Sequence, residues 1–453
     1  MPNIRSITLA GVSAAVLAAV ALVPLSGWNP IAIEPASSST VVEPEAVTRN
    51  ILCSGSVLAA DGDSTTWSLV GKTSRAIDGG HEIGQFATEG DPDGAIVTYD
   101  STPDAVAATE YASVNTDIIA GYMAAECGDP VNSQWLVGGN TTTGRDAVLT
   151  MSNASAVDAR VDLEFWGANG PINAPAASGL VIPAGTSTSY SLAGFAPDEE
   201  SPIIHVMSNG APVWATLQVS VIRGLVPGGL DRVAPVGSPA TNLVIPVVRQ
   251  PDEKVIGPLL SDPDFADMIT IVRVLNPGQQ DGAATLTVTP FDGSDPVVID
   301  IDVVAGKVSD IAIDDVAVGN FSIAVDADVP VVAAARFSAF APSTSIADIA
   351  WAPAIAPRLG PAMAFVPTGD SLLTLINPGE TAATVEVTVD GETVTLAIDA
   401  RSTDTLVVPR GPVTVTSDSA IVAGVVIETS KGIATLRLPT EPLGARSVTV
   451  ISH

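Results

Sequence analysis

The amino-acid sequence predicts an all-β fold: tandem Ig-like antiparallel β-sandwich modules behind one N-terminal transmembrane helix. Three observations predict it. Apolar and polar residues alternate along many short runs, as in Thr384-Val385-Glu386-Val387-Thr388-Val389, the pattern of a strand with one buried and one wet face. Turn signals separate the runs: Asn276-Pro277-Gly278, Asp292-Gly293, Asn377-Pro378-Gly379 and Asp390-Gly391. Landmarks also recur. An apolar pair followed by alanine stands at Ile118-Ile119-Ala120, Val213-Trp214-Ala215, Val331-Val332-Ala333 and Ile421-Val422-Ala423. The interval is roughly one β-sandwich of about 100 residues.

Composition bounds the rest. The 453 residues carry 50 acids and 19 bases, a net charge of −31. Neutralising phosphates needs clustered Lys and Arg, so nucleic acid is not an expected partner. Apolar residues make up 46% and aromatics only 4%, so the cores must be built from Val, Ile, Leu and Ala.

Taken in order, residues 1–28 predict a signal-anchor or transmembrane segment. Its charge-free run 7–25 spans about 28 Å as a helix, close to the thickness of a bilayer core. Arg5 precedes the run and the next base is Arg49, which places the chain that follows outside the cell. Ala19-Val20-Ala21 also fits a signal-peptidase site, so cleavage and secretion is the second reading. Residues 29–49, rich in Pro, Ser and Glu, read as an extended tether. A divergent β-region over 50–130 follows, with the option of merging with its neighbour. Sandwiches are then expected over 133–237, 240–355 and 360–453. In an exported chain, the two cysteines, Cys53 and Cys127, are expected to form a disulfide.

Motifs for chemistry are incomplete. His81-Glu82-Ile83-Gly84-Gln85 begins like a zinc-protease helix but has Gln85 where the second imidazole must stand, so no metal site is expected there. Gly71-Lys72-Thr73 lacks the earlier glycine of a phosphate loop, and no Gly-x-Ser-x-Gly elbow occurs. His205, inside Ile203-Ile204-His205-Val206-Met207, reads as a face-out strand residue. Acids such as Asp300, Asp302, Asp310 and Asp314 alternate with apolar residues and read as a solvated sheet face. Asp61-Gly62-Asp63 and Asp91-Pro92-Asp93-Gly94 offer oxygen ligands without a complete calcium-loop spacing. Trp135 and Trp214 read as core. Trp166 and Phe291, each just before a turn, are the aromatics expected to be exposed and available to a ligand.

Several segments together resemble a known family. They are Cys127-Gly128-Asp129-Pro130, Trp135-Leu136-Val137-Gly138-Gly139 with Gly144-Arg145, Leu149-Thr150-Met151-Ser152-Asn153, and Val226-Pro227-Gly228-Gly229-Leu230-Asp231-Arg232-Val233-Ala234-Pro235. The family is an uncharacterised actinobacterial group of secreted or membrane-anchored proteins, domain of unknown function 5719. The resemblance spans most of the chain after residue 50. It implies an exported, sandwich-built envelope protein and carries no active residue. Asn153-Ala154 departs from the family's usual Asn-Pro. The expected function is therefore non-catalytic: a membrane-tethered rod of sandwiches that contacts envelope proteins or cell-wall components, with no cofactor. Glycan binding through exposed aromatics is the alternative, and a cryptic hydrolase the third reading.

Overall fold

The structure is a computed structural model that describes residues 38–42, 48–60, 67–86, 94–100, 106–314, 316–341, 345–438 and 448–452. The expected membrane segment 1–28 lies outside these residues, as do the two candidate calcium loops at 61–63 and 91–93. Among the described residues no helix is long and apolar enough to cross a membrane. Part of the expected tether is a strand: Ser38–Val42 pairs antiparallel with Val448–Ser452 in a two-stranded sheet, which belongs to a unit of its own. A second unit runs from Ala46 to Gly444.

Within that second unit the chain is almost entirely antiparallel strand, and one scheme recurs. In the fourth module the strands are, in chain order, Ala362–Val366, Ser371–Asn377, Ala383–Val389, Glu392–Ile398, Ser402–Val408, Gly411–Ser417, Val422–Thr429 and Gly432–Arg437. The first, sixth, third and fourth form one sheet; the fifth, second, seventh and eighth form the other. The third module repeats this order with Ala240–Gln250, Ile271–Leu275, Gly282–Pro290, Val297–Val303, Val308–Ala312, Gly319–Ala341 and Ile346–Pro353. Gly319–Ala341 is both sixth and seventh strand: its first half pairs with Ala240–Gln250 and its second half with Ile271–Leu275. The second module does the same from Ser133–Val137 to Val226–Val233, with two short strands, Gly170–Ile172 and Leu180–Ile182, in the fourth position.

The alternation does what its period requires. Along Ala383–Val389 the residues Ala383, Val385 and Val387 are buried and Thr384 and Glu386 exposed. The next turn, Asp390-Gly391, has φ of 50° and 80°, the double left-handed geometry of a tight hairpin that glycine adopts without strain. The repeated asparagine also has a physical role. Asn153, Asn276 and Asn377 are buried in the same hydrogen-bond set. Each Oδ1 accepts from the backbone N–H two residues on: Ser155 at 3.0 Å, Gly278 at 2.9 Å and Gly379 at 3.0 Å. Each Nδ2 donates to the carbonyl four residues on: Val157 at 2.8 Å, Gln280 at 2.7 Å and Thr381 at 2.8 Å. It also donates to the end of the fourth-position strand: Ile182 at 3.0 Å, Val303 at 3.1 Å and Ile398 at 3.1 Å. Asn153 makes the set without a following proline. Asn377→Ala is expected to lower stability by about 2 kcal/mol, because it strands buried carbonyls; urea unfolding reads the change, and a loss under about 0.5 kcal/mol would show the motif to be incidental.

The divergent first region keeps part of the scheme. Thr48–Cys53, Ala95–Asp100 and His81–Gln85 form one sheet, and Ser74–Asp78, Ala107–Asn115 and Ala120–Glu126 another. These match the first, sixth and third, and the second, seventh and eighth strands. One landmark needs correction. Ala215, Ala333 and Ala423 lie in seventh strands, but Ala120 opens an eighth strand. Both strands of this last hairpin are buried over most of their length, so the same apolar-alanine pattern arises in either.

The modules do not follow one another as a rod of separate cores. The core of the second module continues into Ile271, Leu275, Val332 and Trp351 of the third. That of the third takes in Val426 and Ile433 of the fourth. That of the fourth takes in Tyr122 and Ala124 of the first. The array closes on itself because the outer faces of the inner sheets are apolar as well, which alternation along single strands does not reveal. Cys53 and Cys127 are disulfide-bonded, 74 residues apart in the chain. A short helix, Glu253–Leu260, is an element the sequence pattern did not predict; Asp252 caps it by accepting from Lys254 N at 2.9 Å.

Candidate functional site

The eighth strands Ala120–Glu126, Val226–Val233, Ile346–Pro353 and Gly432–Arg437 touch one another in a closed circuit. Their amides converge on one carboxylate. Asp348, fully buried, accepts from Leu230 N at 2.8 Å on Oδ1, and from Tyr122 N at 3.0 Å and Ile433 N at 2.9 Å on Oδ2. One side chain thus joins all four modules. A glycine precedes each donor residue: Gly121, Gly229 and Gly432. A Cβ at Gly432 would collide with Oδ2 of Asp348, so the approach requires glycine there. Beside the hub, Asp231 Oδ2 accepts from Trp351 N at 2.7 Å.

Burial pushes the Asp348 carboxyl up to about 7 despite its backbone donors, and burial, with the charges of Asp348 and Glu126 nearby, pushes Asp231 up to about 8. Both values lie above that of an unfolded aspartate, near 4. Their contribution to stability is therefore complete below about pH 4 and is lost as pH rises through about 7 and 8. The unfolding midpoint in urea is expected to fall between pH 6 and pH 9, with a shallower fall in Asp231→Asn. A midpoint that rises over that range would contradict the assignment.

The circuit's C-terminal ends open onto a cavity of about 520 Å³. Its wall combines Arg49, Glu126 and Asp129 of the first region, Trp214 of the second module, Arg358 from the joint after the third, and Arg437 of the fourth. Trp214 is buried against Leu52 and Phe86, and its ring lies so tight against Gly128 that it leaves no room for a Cβ there. Its indole Nε1 is buried with no hydrogen-bond partner. Glu126 and Arg437 form an ion pair in the wall. Burial raises the Asp129 carboxyl, with Arg49 opposing. The cavity therefore presents guanidinium donors beside apolar lining, a surface suited to binding a ligand with acceptor groups.

The residues singled out from sequence fall elsewhere. Trp166 is half-buried, with its ring 5.2 Å from that of Trp135. Phe291 is half-buried against the core of the third module. Both therefore pack and do not project. His205 lies on the same sheet face as Trp166, stacked on Trp135 at 4.1 Å. Its Nε2 is 2.8 Å from Ser133 Oγ and its Nδ1 3.4 Å from Glu164 Oε2. Burial lowers the imidazole pKa, while Glu164 pulls the other way. His81 is exposed on a strand, not on a helix. Asp300, Asp302 and Asp314 are exposed. Asp310 is exposed too, but it is not free. Arg273 clamps it through Nε at 2.8 Å and Nη2 at 2.9 Å; burial works against its ionisation, but the guanidinium prevails and its pKa is held down.

What sequence reasoning missed is the set of buried charges. Glu110, Glu126, Asp231, Arg232, Arg273 and Asp348 are all buried. A signal existed: Arg273 and Asp348 are lone charges inside the apolar runs Ile271–Leu275 and Ile346–Ala350. Strands buried on both faces read as continuous apolar runs. A charge inside one must find an internal partner.

A family model described as "Family of unknown function (DUF5719)" matches residues 89–409. No curated protein matches the chain. Among solved structures, the biofilm associated protein BSP domain is 10% identical, with 74% of this chain and 64% of that chain covered and a TM-score of 0.12. This chain thus spans under two thirds of that structure. The chicken CNTN1 FN1-FN3 domains are 9% identical over 71% of this chain and 98% of that one, TM-score 0.10. An anti-sigma factor domain-containing protein from Clostridium clariflavum is 9% identical over 90% and 98%, TM-score 0.11. None of the three bears on the argument at such TM-scores.

Proposed function

Because this chain belongs to DUF5719, a family of unknown function, we propose from its architecture that it is a non-catalytic, extracytoplasmic cell-envelope protein that acts as a scaffold or interaction module. Residues 1–28 tether it to the membrane in this reading, and its modules are Ig-like sandwiches. Its partners are envelope proteins or cell-wall components, received in the cavity where the modules meet. The observation that carries the proposal is that convergence: four sandwiches locked through one carboxylate hold a polar-walled cavity in fixed geometry. Rigid scaffolds with preformed pockets are built for recognition. The disulfide supports an oxidising compartment.

Proximity labelling in the native host, with the tag after His453, tests this. Labelled proteins of the envelope are expected, and loss of that set in Arg358→Ala would assign it to the cavity. A labelled set confined to cytoplasmic proteins would refute the reading. One observation favours a second reading, hydrolysis: Ser133, His205 and Glu164 stand in the order of nucleophile, base and orienting acid. A fluorophosphonate adduct on Ser133 that disappears in His205→Gln would establish it, and an unmodified Ser133 would remove it.

A further inference from the structure

Four arginines crowd the joint between the second and third modules: Arg145, Arg223, Arg273 and Arg336. Three of them are paired. Asp267 takes Arg223 through Nε at 2.9 Å and Nη2 at 2.6 Å, and Arg145 through Nη2 at 3.2 Å. Asp310 takes both nitrogens of Arg273 and the hydroxyl of Ser201 at 2.7 Å. The two carboxylates are thereby occupied.

Arg336 is left over. It lies across from Ile271 on one side and Trp351 on the other. Its guanidinium stands 5.9 Å from the Trp351 ring, which already carries Arg273 at 4.8 Å. Its Nε is buried with no hydrogen-bond partner. Burial depresses the guanidinium to about 10, with Asp267 opposing and Arg273 adding repulsion. Arg336 is half-buried, and a buried guanidinium N–H that has no acceptor costs free energy there.

A cavity of about 20 Å³ lies against this group, walled by Asn140, Arg145, Asp146, Asp267, Arg336 and Trp351 among others. About 10–15 Å³ of such space holds one water, so the cavity takes one atom-sized occupant. The other acid of the wall, Asp146, has its carboxyl pushed up by burial, with the Ala147 N–H opposing. Four guanidiniums stand against three carboxylates, Asp146, Asp267 and Asp310, two of them already committed, so the joint carries an excess of positive charge inside a chain of net charge −31.

We propose that this cavity is a binding site for one small monovalent anion of chloride size, held by the unpaired guanidinium of Arg336 at the joint of the second and third modules. The anion supplies the acceptor that Arg336 lacks and stabilises the joint by mass action.

Thermal unfolding of the full chain tests it, at matched ionic strength in sodium chloride and in sodium gluconate, whose anion is too large for the cavity. A saturable rise of about 1–3 °C is expected in chloride only. Arg336→Gln removes the uncompensated cation, so the variant is expected to fold and to unfold at one temperature in both salts. Bromide-soaked crystals give a reading independent of any variant. An anomalous peak beside Arg336 is expected; a cavity that holds only water, or equal wild-type transitions in the two salts, would overturn the proposal.

Discussion

Asp348→Ala is expected to lower the stability of the second unit by at least about 4 kcal/mol, because three buried amides lose their shared acceptor at about 1–3 kcal/mol each. A domain has only about 5–15 kcal/mol to lose. The donors Tyr122, Leu230 and Ile433 sit on three modules, so the damage is not local to the third. Asp348→Asn keeps one carbonyl oxygen but turns an amide NH₂ towards an N–H donor. It should fall between the parent and alanine. Urea unfolding gives the order, and hydrogen exchange gives the place: protection should drop together at residues 121–123, 229–231 and 432–434. If alanine costs under about 1 kcal/mol, or exposes the third module alone, Asp348 is not the shared tie.

The second large effect is expected at the buried pair Glu110–Arg232, which joins the first region to the second module. Glu110 also accepts from Gly55 N at 2.9 Å through its other oxygen. Arg232 donates to the carbonyls of Gly55 at 2.7 Å and Ser56 at 3.0 Å. Glu110→Ala leaves a buried guanidinium without its counter-charge, which costs about 3–5 kcal/mol. Glu110→Leu with Arg232→Met removes both charges and should recover part of that loss. The recovery is incomplete, because the carbonyls of Gly55 and Ser56 lose their donor. A double-mutant cycle in urea measures the coupling, and additive losses would show that the two groups do not depend on each other.

The repeated strands were legible because a strand's pattern is local. Period two, the turn at Asp390-Gly391 and the asparagines Asn276 and Asn377 each act within a few residues of themselves. The candidate site was legible only in fragments. Val226–Pro235 stood out as a motif, yet the parts of Asp231 and Arg232 in it depend on Trp351, Glu110, Gly55 and Ser56, all far along the chain. Trp214 was read correctly as core, but its unused N–H could not be read at all, since that depends on what does not surround it. Trp166 and Phe291 illustrate the opposite error. A position before a turn predicts exposure only if no other ring or core lies alongside, and here Trp135 and the third module's core do.

The amino-acid sequence by itself determined the all-β class, the recurrence of strand-and-turn landmarks, the pairing of Cys53 with Cys127 and the family to which the chain belongs. Each follows from residues that interact locally or from a choice with one partner available. Only the tertiary structure decided that the sandwiches close into a circuit, that Asp348 ties them and that a cavity opens where they meet. The reason is physical. A buried charge is tolerable only where donors from distant strands converge on it, and no pattern along a single strand specifies which distant amides those will be.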